Sequence, residues 1–315
     1  MYGLPKLHKP GKDIRPIINC RDCPFYKLSK WLLNRFKALE AYETRSVKNS
    51  IELAKTLENE EVQDDEVLVS FDVKSLFPSV PVDKALQLLS KWLKNSGLMK
   101  QKVKEFLRLT EICTSQTAFR FNNKMYRQVS GLFMGNPISP FLSDLFMSNL
   151  EIERIVFRPD MFLLWRRYVD DVLSKIKKGQ QTLALEYLNH LEESIEFTIE
   201  EEKDQKLPFL DLLLDRSNNK IEFDIYRKPT DTGNYIKGNA HNPKVHKTAA
   251  FRSMAYRMMK IPLSDENRKR EENNIISIAK KNHFQEEEIR QVINKVKRKV
   301  RMNNLTTLKG ETKDK

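Results

Sequence analysis

Between residues 67 and 73, Val67, Val69, Phe71 and Val73 fall on one side of an extended chain and Asp72 on the other, which predicts a strand buried on one face. Residues 162–169 and 172–176 read as two further short apolar strands, with Asp170 and Asp171 at the turn between them. Elsewhere the period changes. Phe25, Leu28, Trp31, Leu32, Phe36 and Leu39 recur at helical spacing and predict a helix over 24–39, with Pro24 tolerated in its first turn. Ala85, Leu88, Leu89 and Trp92 share a face of a helix over 83–94. Phe141, Leu142, Leu145, Phe146 and Leu150 do the same over 139–150, where Ser139 is placed to cap and Pro140 suits the first turn. Further helices are predicted over 183–195, 251–260 and 287–301. The last turns Ile289, Val292, Ile293, Val296 and Val300 inward and a row of Lys and Arg outward. Residues 197–199 read as a strand, and 207–215 with 221–226 as a hairpin around Ser217-Asn218-Asn219. The acidic stretch 58–66 reads as a solvated loop and 303–315 as disordered. Helices laid against an antiparallel sheet make an α+β fold.

Composition narrows the partners. A chain of 315 residues at 40% hydrophobic buries a sizeable core as one large domain or two ordinary ones. Its 56 Lys and Arg against 43 Asp and Glu give a net charge of +13, which suits a polyanion. The charge is uneven: Lys6, Lys9, Lys12 and Arg15 at the start, Arg166 and Arg167 beside the aspartate pair, and a dense basic run from 290 to 301. Three cysteines are too few for a disulfide framework, and Cys20-Arg21-Asp22-Cys23 lacks a second pair to complete a zinc site. His241, His246 and His283 are too scattered to be read as metal ligands. No apolar run approaches a membrane span and the first residues lack a secretory core, so a soluble and intracellular protein is expected; its place within the cell is taken, separately, to be nuclear.

Three blocks carry the chemistry: Ser70-Phe71-Asp72-Val73, Gly135-Asn136-Pro137-Ile138-Ser139-Pro140 and Tyr168-Val169-Asp170-Asp171. Singly, each aspartate fits an ordinary turn. Together, a strand-borne Asp72 and a hairpin pair, Asp170 and Asp171, are what a two-metal nucleotidyl transferase needs. They would hold two Mg²⁺, with Mn²⁺ able to substitute, one activating a primer 3′-hydroxyl and the other stabilising the leaving pyrophosphate. Lys6 and Arg15 flank a Pro10-Gly11-Lys12 turn, so a hairpin would bring both cations to the triphosphate.

The order of these blocks resembles the palm of reverse transcriptases, and the flanking words resemble those of the Penelope-like retroelements. Those words are Tyr2-Gly3-Leu4-Pro5-Lys6-Leu7-His8-Lys9-Pro10, Arg15-Pro16-Ile17-Ile18, Ser70 to Phe77, Gly131-Leu132-Phe133-Met134-Gly135-Asn136-Pro137, Leu207-Pro208-Phe209-Leu210-Asp211 and Tyr226-Arg227-Lys228-Pro229-Thr230. The resemblance covers about residues 2–260. It implies a right-hand polymerase with fingers over 1–50, a palm over 51–226 and a basic, helical thumb-like region over 227–315. It also implies RNA-templated DNA synthesis from dNTPs on a DNA primer. Phe77 takes the place that excludes a ribose 2′-hydroxyl, and Met134, Gly135, Asn136 and Pro137 line the nucleotide pocket. Met134 departs from the Gln that many reverse transcriptases carry there. Tyr168, Arg290, Lys297, Arg298 and Arg301 are assigned to nucleic acid. The finger motifs begin at residue 2, so more chain is expected ahead of it. No GIY-YIG block follows the polymerase motifs, so any endonuclease is expected from elsewhere. The competing readings are a decayed or co-opted nucleic-acid-binding protein and a telomerase-type reverse transcriptase. Asp211 and Asp215 are expected to be structural, and Lys203 and Lys206 are not separable as a general acid.

Overall fold

The computed structural model describes residues 2–5, 14–39, 41–217 and 219–311. They divide into two compact units, Met1–Val47 with Asp65–Glu201, and Lys48–Asp64 with Glu202–Lys315. In chain order the first elements are β1 (Tyr2–Pro5), β2 (Ile14–Ile17), α1 (Tyr26–Lys37), α2 (Ser50–Leu57) and β3 (Glu66–Val73). Next come α3 (Leu76–Ser79), α4 (Val82–Asn95), α5 (Lys100–Ser115), β4 (Ala118–Phe121), β5 (Lys124–Arg127) and α6 (Ser139–Leu150). A π-helical turn (Glu151–Ile155) leads to β6 (Leu164–Tyr168), β7 (Asp171–Lys177), α7 (Gln181–His190) and β8 (Phe197–Glu201). The remainder is β9 (Lys206–Phe209), β10 (Leu212–Asp215), β11 (Glu222–Ile225), α8 (Lys244–Lys247), α9 (Ala249–Lys260), α10 (Asp265–Lys281) and α11 (Glu286–Glu311).

The first unit is built on an antiparallel sheet of order β6-β7-β3-β8. The period of two in β3 sends Val67, Val69, Phe71 and Val73 into one core with Leu32 and Phe36 of α1, Leu89 and Leu93 of α4, and Leu142 and Phe146 of α6. Phe71 is fully buried and stacks on Trp165 at 5.9 Å, so its truncation to Ala would cost about 3–5 kcal/mol. Phe36, Trp92 and Phe141 close the helical side as edge-on and tilted ring pairs.

The second unit holds the sheet β11-β10-β9 and, on α9, α10 and α11, the buried faces of Phe251 and Met258, Ile275 and Ala279, and Ile289 and Ile293. Buried Glu271 accepts both ends of the Arg227 guanidinium, and Arg216 pairs with Glu202. Among the described residues no helix is long and apolar enough to cross a membrane.

Several elements depart from the sequence pattern for physical reasons. The single strand expected over 207–215 is two strands, because Leu210 takes a left-handed φ of +57° and the Asp211 carbonyl accepts from the Tyr226 N–H at 3.0 Å. The helix expected over 183–195 ends at His190, where Asn189 turns the chain back by accepting from the Phe197 N–H at 2.7 Å. Glu66 is no solvated acid: it is buried and pairs with Lys175 and Lys177 at 3.4 Å each. Past residue 301 the last helix runs on to Glu311, since adding a residue to a formed helix costs little, whereas disorder is expected from 303. Residues 312–315 lie outside the described residues.

Candidate active site

Strand register brings the three aspartates to one end of the sheet. Asp72 stands directly opposite Asp171 across the β3–β7 pair. Tyr168 in turn faces Asp171 across β6–β7, which leaves Val169 and Asp170 as a two-residue turn. The Asp170 carbonyl then accepts from the Val73 N–H at 3.0 Å, tying the turn to the residue after Asp72. All three aspartates are half-buried. Two carboxylates directly opposite on neighbouring strands repel, and the arrangement invites a cation to offset that repulsion. Hard oxygen donors of this kind suit Mg²⁺. Among the described residues no three acidic, His or Cys side chains are already drawn together tightly enough to hold a metal ion. The fit therefore rests on donor chemistry and strand register.

Val169 at the tip has φ of +58°, a left-handed backbone that a β-branched residue adopts only at a cost of about 1–3 kcal/mol. Arg167 helps hold it there, donating from Nη1 to the Val169 carbonyl at 3.2 Å. The guanidinium is fully buried and also donates to Glu151 Oε1 at 2.6 Å, Asp144 Oδ1 at 2.9 Å and Ser148 Oγ at 3.1 Å. Trp165 Nε1 donates to Glu151 at 3.0 Å, and the Tyr42 hydroxyl to Asp144 at 2.5 Å. Glu151 opens the π-helical turn, where its carbonyl accepts from the Val156 N–H at 3.0 Å. Burial works against the Arg167 charge, but Glu151 and Asp144 outweigh it and raise the pKa. Burial first, then Asp144, pushes the Tyr42 hydroxyl up as well. By composition Arg167 counts with the basic surface; in the fold it lies beneath the aspartate turn. Its place two residues from Trp165, on the same face of β6, is the sequence signal of that inward position.

The loop between the acidic blocks is fixed by close backbone contacts. Gly131 has φ of +77°, and a Cβ there would lie 2.0 Å from the Pro78 carbonyl oxygen. The neighbouring Leu132 N–H donates to the Phe77 carbonyl at 2.7 Å. Phe77 sits in the helical turn α3 behind Ser75, whose φ is +51°, and its half-buried ring packs against the core. At Gly135, with φ of +116°, a Cβ would lie 2.3 Å from the Ile18 carbonyl oxygen, so the glycine admits this chain's own backbone. Asn136 is buried, donating to the Cys113 carbonyl at 2.9 Å and accepting from the Ile138 N–H at 3.2 Å. That engagement holds its side chain within the fold. Ser139, expected to cap the helix, instead opens it behind Ile138, and its buried hydroxyl makes no capping bond. Met134 and Pro137 are half-buried.

The remaining candidates separate. Lys6 lies outside the described residues, and Arg15 is described only by its backbone, in β2 opposite Leu4. Tyr168 is half-buried at the end of β6. In the second unit Arg290 pairs with Glu286 at 2.7 Å and Lys297 with Glu272 at 2.7 Å, whereas Arg298 and Arg301 are exposed. Lys206 pairs with Asp215 at 3.1 Å, and Asp211 pairs with Arg257. The Cys20 thiol is pushed up to about 11 by burial and by Cys23.

Among solved structures, the telomerase of Candida albicans in complex with a fragment of telomeric RNA is similar at a TM-score of 0.53 and 14% identity, over 87% of this chain and 47% of that one. The RNA-dependent RNA polymerase of a human picobirnavirus is similar at a TM-score of 0.48 and 12% identity, over 82% of this chain and 48% of that one. The chain thus spans about half the length of each, 47% and 48%. No curated protein matches it in sequence. The fold is that of a right-hand polymerase, mixed helix and antiparallel sheet. Residues 7–219, more than half of the chain, match the family described as reverse transcriptase (RNA-dependent DNA polymerase). With its aspartates in register at the sheet end, this chain belongs to the reverse transcriptase family.

Proposed function

We propose that the chain is the RNA-directed DNA polymerase of a retroelement of the Penelope-like type, extending a DNA primer on an RNA template from dNTPs in the nucleus. The observation that carries this reading is the Asp72–Asp171 register with Asp170 tied in beside it. Asp72, Asp170 and Asp171 would hold two Mg²⁺, or Mn²⁺ in their place, supplying activation of the primer 3′-hydroxyl and charge stabilisation on the departing pyrophosphate.

In the reaction the primer 3′-oxygen forms a bond to the α-phosphorus of the dNTP, the bridging P–O bond to the β-phosphate breaks, and the hydroxyl proton passes to solvent. Lys6 and Arg15 are assigned to the β- and γ-phosphates, where Arg offers a bidentate fork. Phe77 closes the space beneath the sugar against a 2′-hydroxyl. Met134, Gly135 and Pro137 border the nucleotide pocket, with Asn136 bracing it from within. Tyr168 is assigned to the primer end. Residues 1–50 are read as fingers, 51–226 as palm and 227–315 as thumb, with Arg298 and Arg301 exposed and able to follow phosphates alongside Arg290 and Lys297.

The test is extension of a DNA primer annealed to an RNA template, with four dNTPs and Mg²⁺ or Mn²⁺. Template-length product is expected. Folded protein that extends nothing with either metal contradicts the reading.

A further inference from the structure

Between Glu111 and Asp144 the chain contains no Asp or Glu, although 43 of its 315 residues are acidic. The middle of that stretch is the hairpin β4–β5, in which all but one residue, the half-buried Phe119, are exposed. Asn122 and Asn123 close it at φ of +46° and +59°, a tight two-residue turn that matches strand twist. Cross-strand register places Phe119 beside Tyr126 and Phe121 beside Lys124 on one face, with Arg120 and Arg127 on the other. Phe119 and Tyr126 stack with centroids 5.6 Å apart, and Phe121 leans on the same ring at 6.5 Å.

An isolated two-stranded hairpin is marginal in water, and one that shows Phe121 at 46% and Tyr126 at 44% exposure leaves apolar surface without cover. Charge decides what covers it. Three cations and no acid, Lys124 on the face of the rings and Arg120 and Arg127 on the reverse face, match a strand of phosphates with unpaired bases that passes over the edge of so narrow a ribbon: rings give stacking platforms and cations follow the backbone.

We infer that this hairpin is a docking surface for single-stranded nucleic acid, the unpaired template strand, with bases stacking on Phe119, Phe121 and Tyr126 and phosphates meeting Arg120, Lys124 and Arg127. The inference rests on the polymerase reading and names one of its contacts with the template. The surface is wired to the loop that borders Phe77. Thr117 Oγ1 donates to the Gln128 carbonyl at 2.8 Å, closing the hairpin base. Gln128 Nε2 reaches the carbonyls of Ser130 at 2.8 Å and Gly131 at 3.2 Å. The hairpin is thus hydrogen-bonded to the segment whose Leu132 N–H donates to the Phe77 carbonyl.

The experiment measures binding of a fluorescein-labelled, mixed-sequence oligoribonucleotide to the whole chain by anisotropy across a salt series, with primer extension run in parallel. The double variant Phe119→Ala/Tyr126→Ala is expected to bind about tenfold more weakly at every salt concentration, in line with the loss of about one stacked base. Lys124→Gln/Arg127→Gln is expected to lower the slope of log affinity against log salt by about 1.4, two single-strand phosphate contacts. The conservative Tyr126→Phe keeps wild-type affinity, and matching melting temperatures show that the variants are folded. If wild-type protein extends primers while both double variants bind as wild type does, the inference fails and the polymerase reading stands. Unchanged RNA binding with altered self-association in sedimentation assigns the surface to a protein partner and equally overturns it. If wild-type protein neither binds RNA nor extends, the polymerase reading itself fails.

Discussion

Val169 is the residue at which local preference and global arrangement collide, since no short-range rule puts a β-branched side chain at φ of +58°. The strain persists because its carbonyl is held by Arg167 and the next residue's carbonyl by Val73. Phe77 shows the same logic in milder form: the left-handed Ser75 turns the chain out of β3 and sets the ring half in the core. Because part of the ring is packed, its replacement has two separable effects. Phe77→Val is expected to raise ribonucleotide over deoxynucleotide incorporation by about tenfold or more, since a steric exclusion is removed while the aspartates are untouched. Competition between rNTPs and dNTPs in single-nucleotide extension measures it. An unchanged ratio in a variant that still polymerises would assign Phe77 to packing alone.

At the scale of elements, the buried network around Arg167 joins β6, α6, the π-helical turn and the segment near Tyr42. Arg167→Ala would strand the fully buried Glu151 carboxylate without its cation, at a cost of about 3–5 kcal/mol. Urea denaturation of the two proteins checks it, and a loss below about 1 kcal/mol would show the network to be incidental. The elements that sequence pattern made legible were those with a single strong period: β3, β6 with β7, α4, α6 and α9. The β3 strand and the turn carrying Asp170 fall within a residue or two of the bounds the pattern predicts, and with them the register that sets Asp72 opposite Asp171. Others escaped for definable reasons. α5 and α10 mix charges into most positions, so their apolar faces are diluted. The hairpin β4–β5 has both faces exposed and so lacks an alternation of burial to reveal it. The break at Leu210 carries no Gly, Asn or Asp at the left-handed position, and nothing short-range marks it. Residue type counts Arg167 with the basic surface, and only its contacts to Glu151 and Asp144 reveal that it is buried; the bond from Asn136 to the Cys113 carbonyl is equally invisible at short range.

Across the whole molecule a net charge of +13 supplies non-specific attraction to nucleic acid, and that attraction is independent of the chemistry at Asp72, Asp170 and Asp171. Binding and synthesis are therefore separable, and their separation distinguishes a polymerase from a protein that only binds. Asp72 is half-buried at the open end of β3, so Asn fits its place without disturbing the sheet. The decisive measurement is single-turnover dNTP incorporation by Asp72→Asn on an RNA template, made beside the affinity of the same protein for the primer–template. Incorporation is expected to fall by about a thousandfold or more, while affinity stays within about twofold of wild type. Equal losses of both, or synthesis that survives the substitution, would contradict an active site built on Asp72, Asp170 and Asp171.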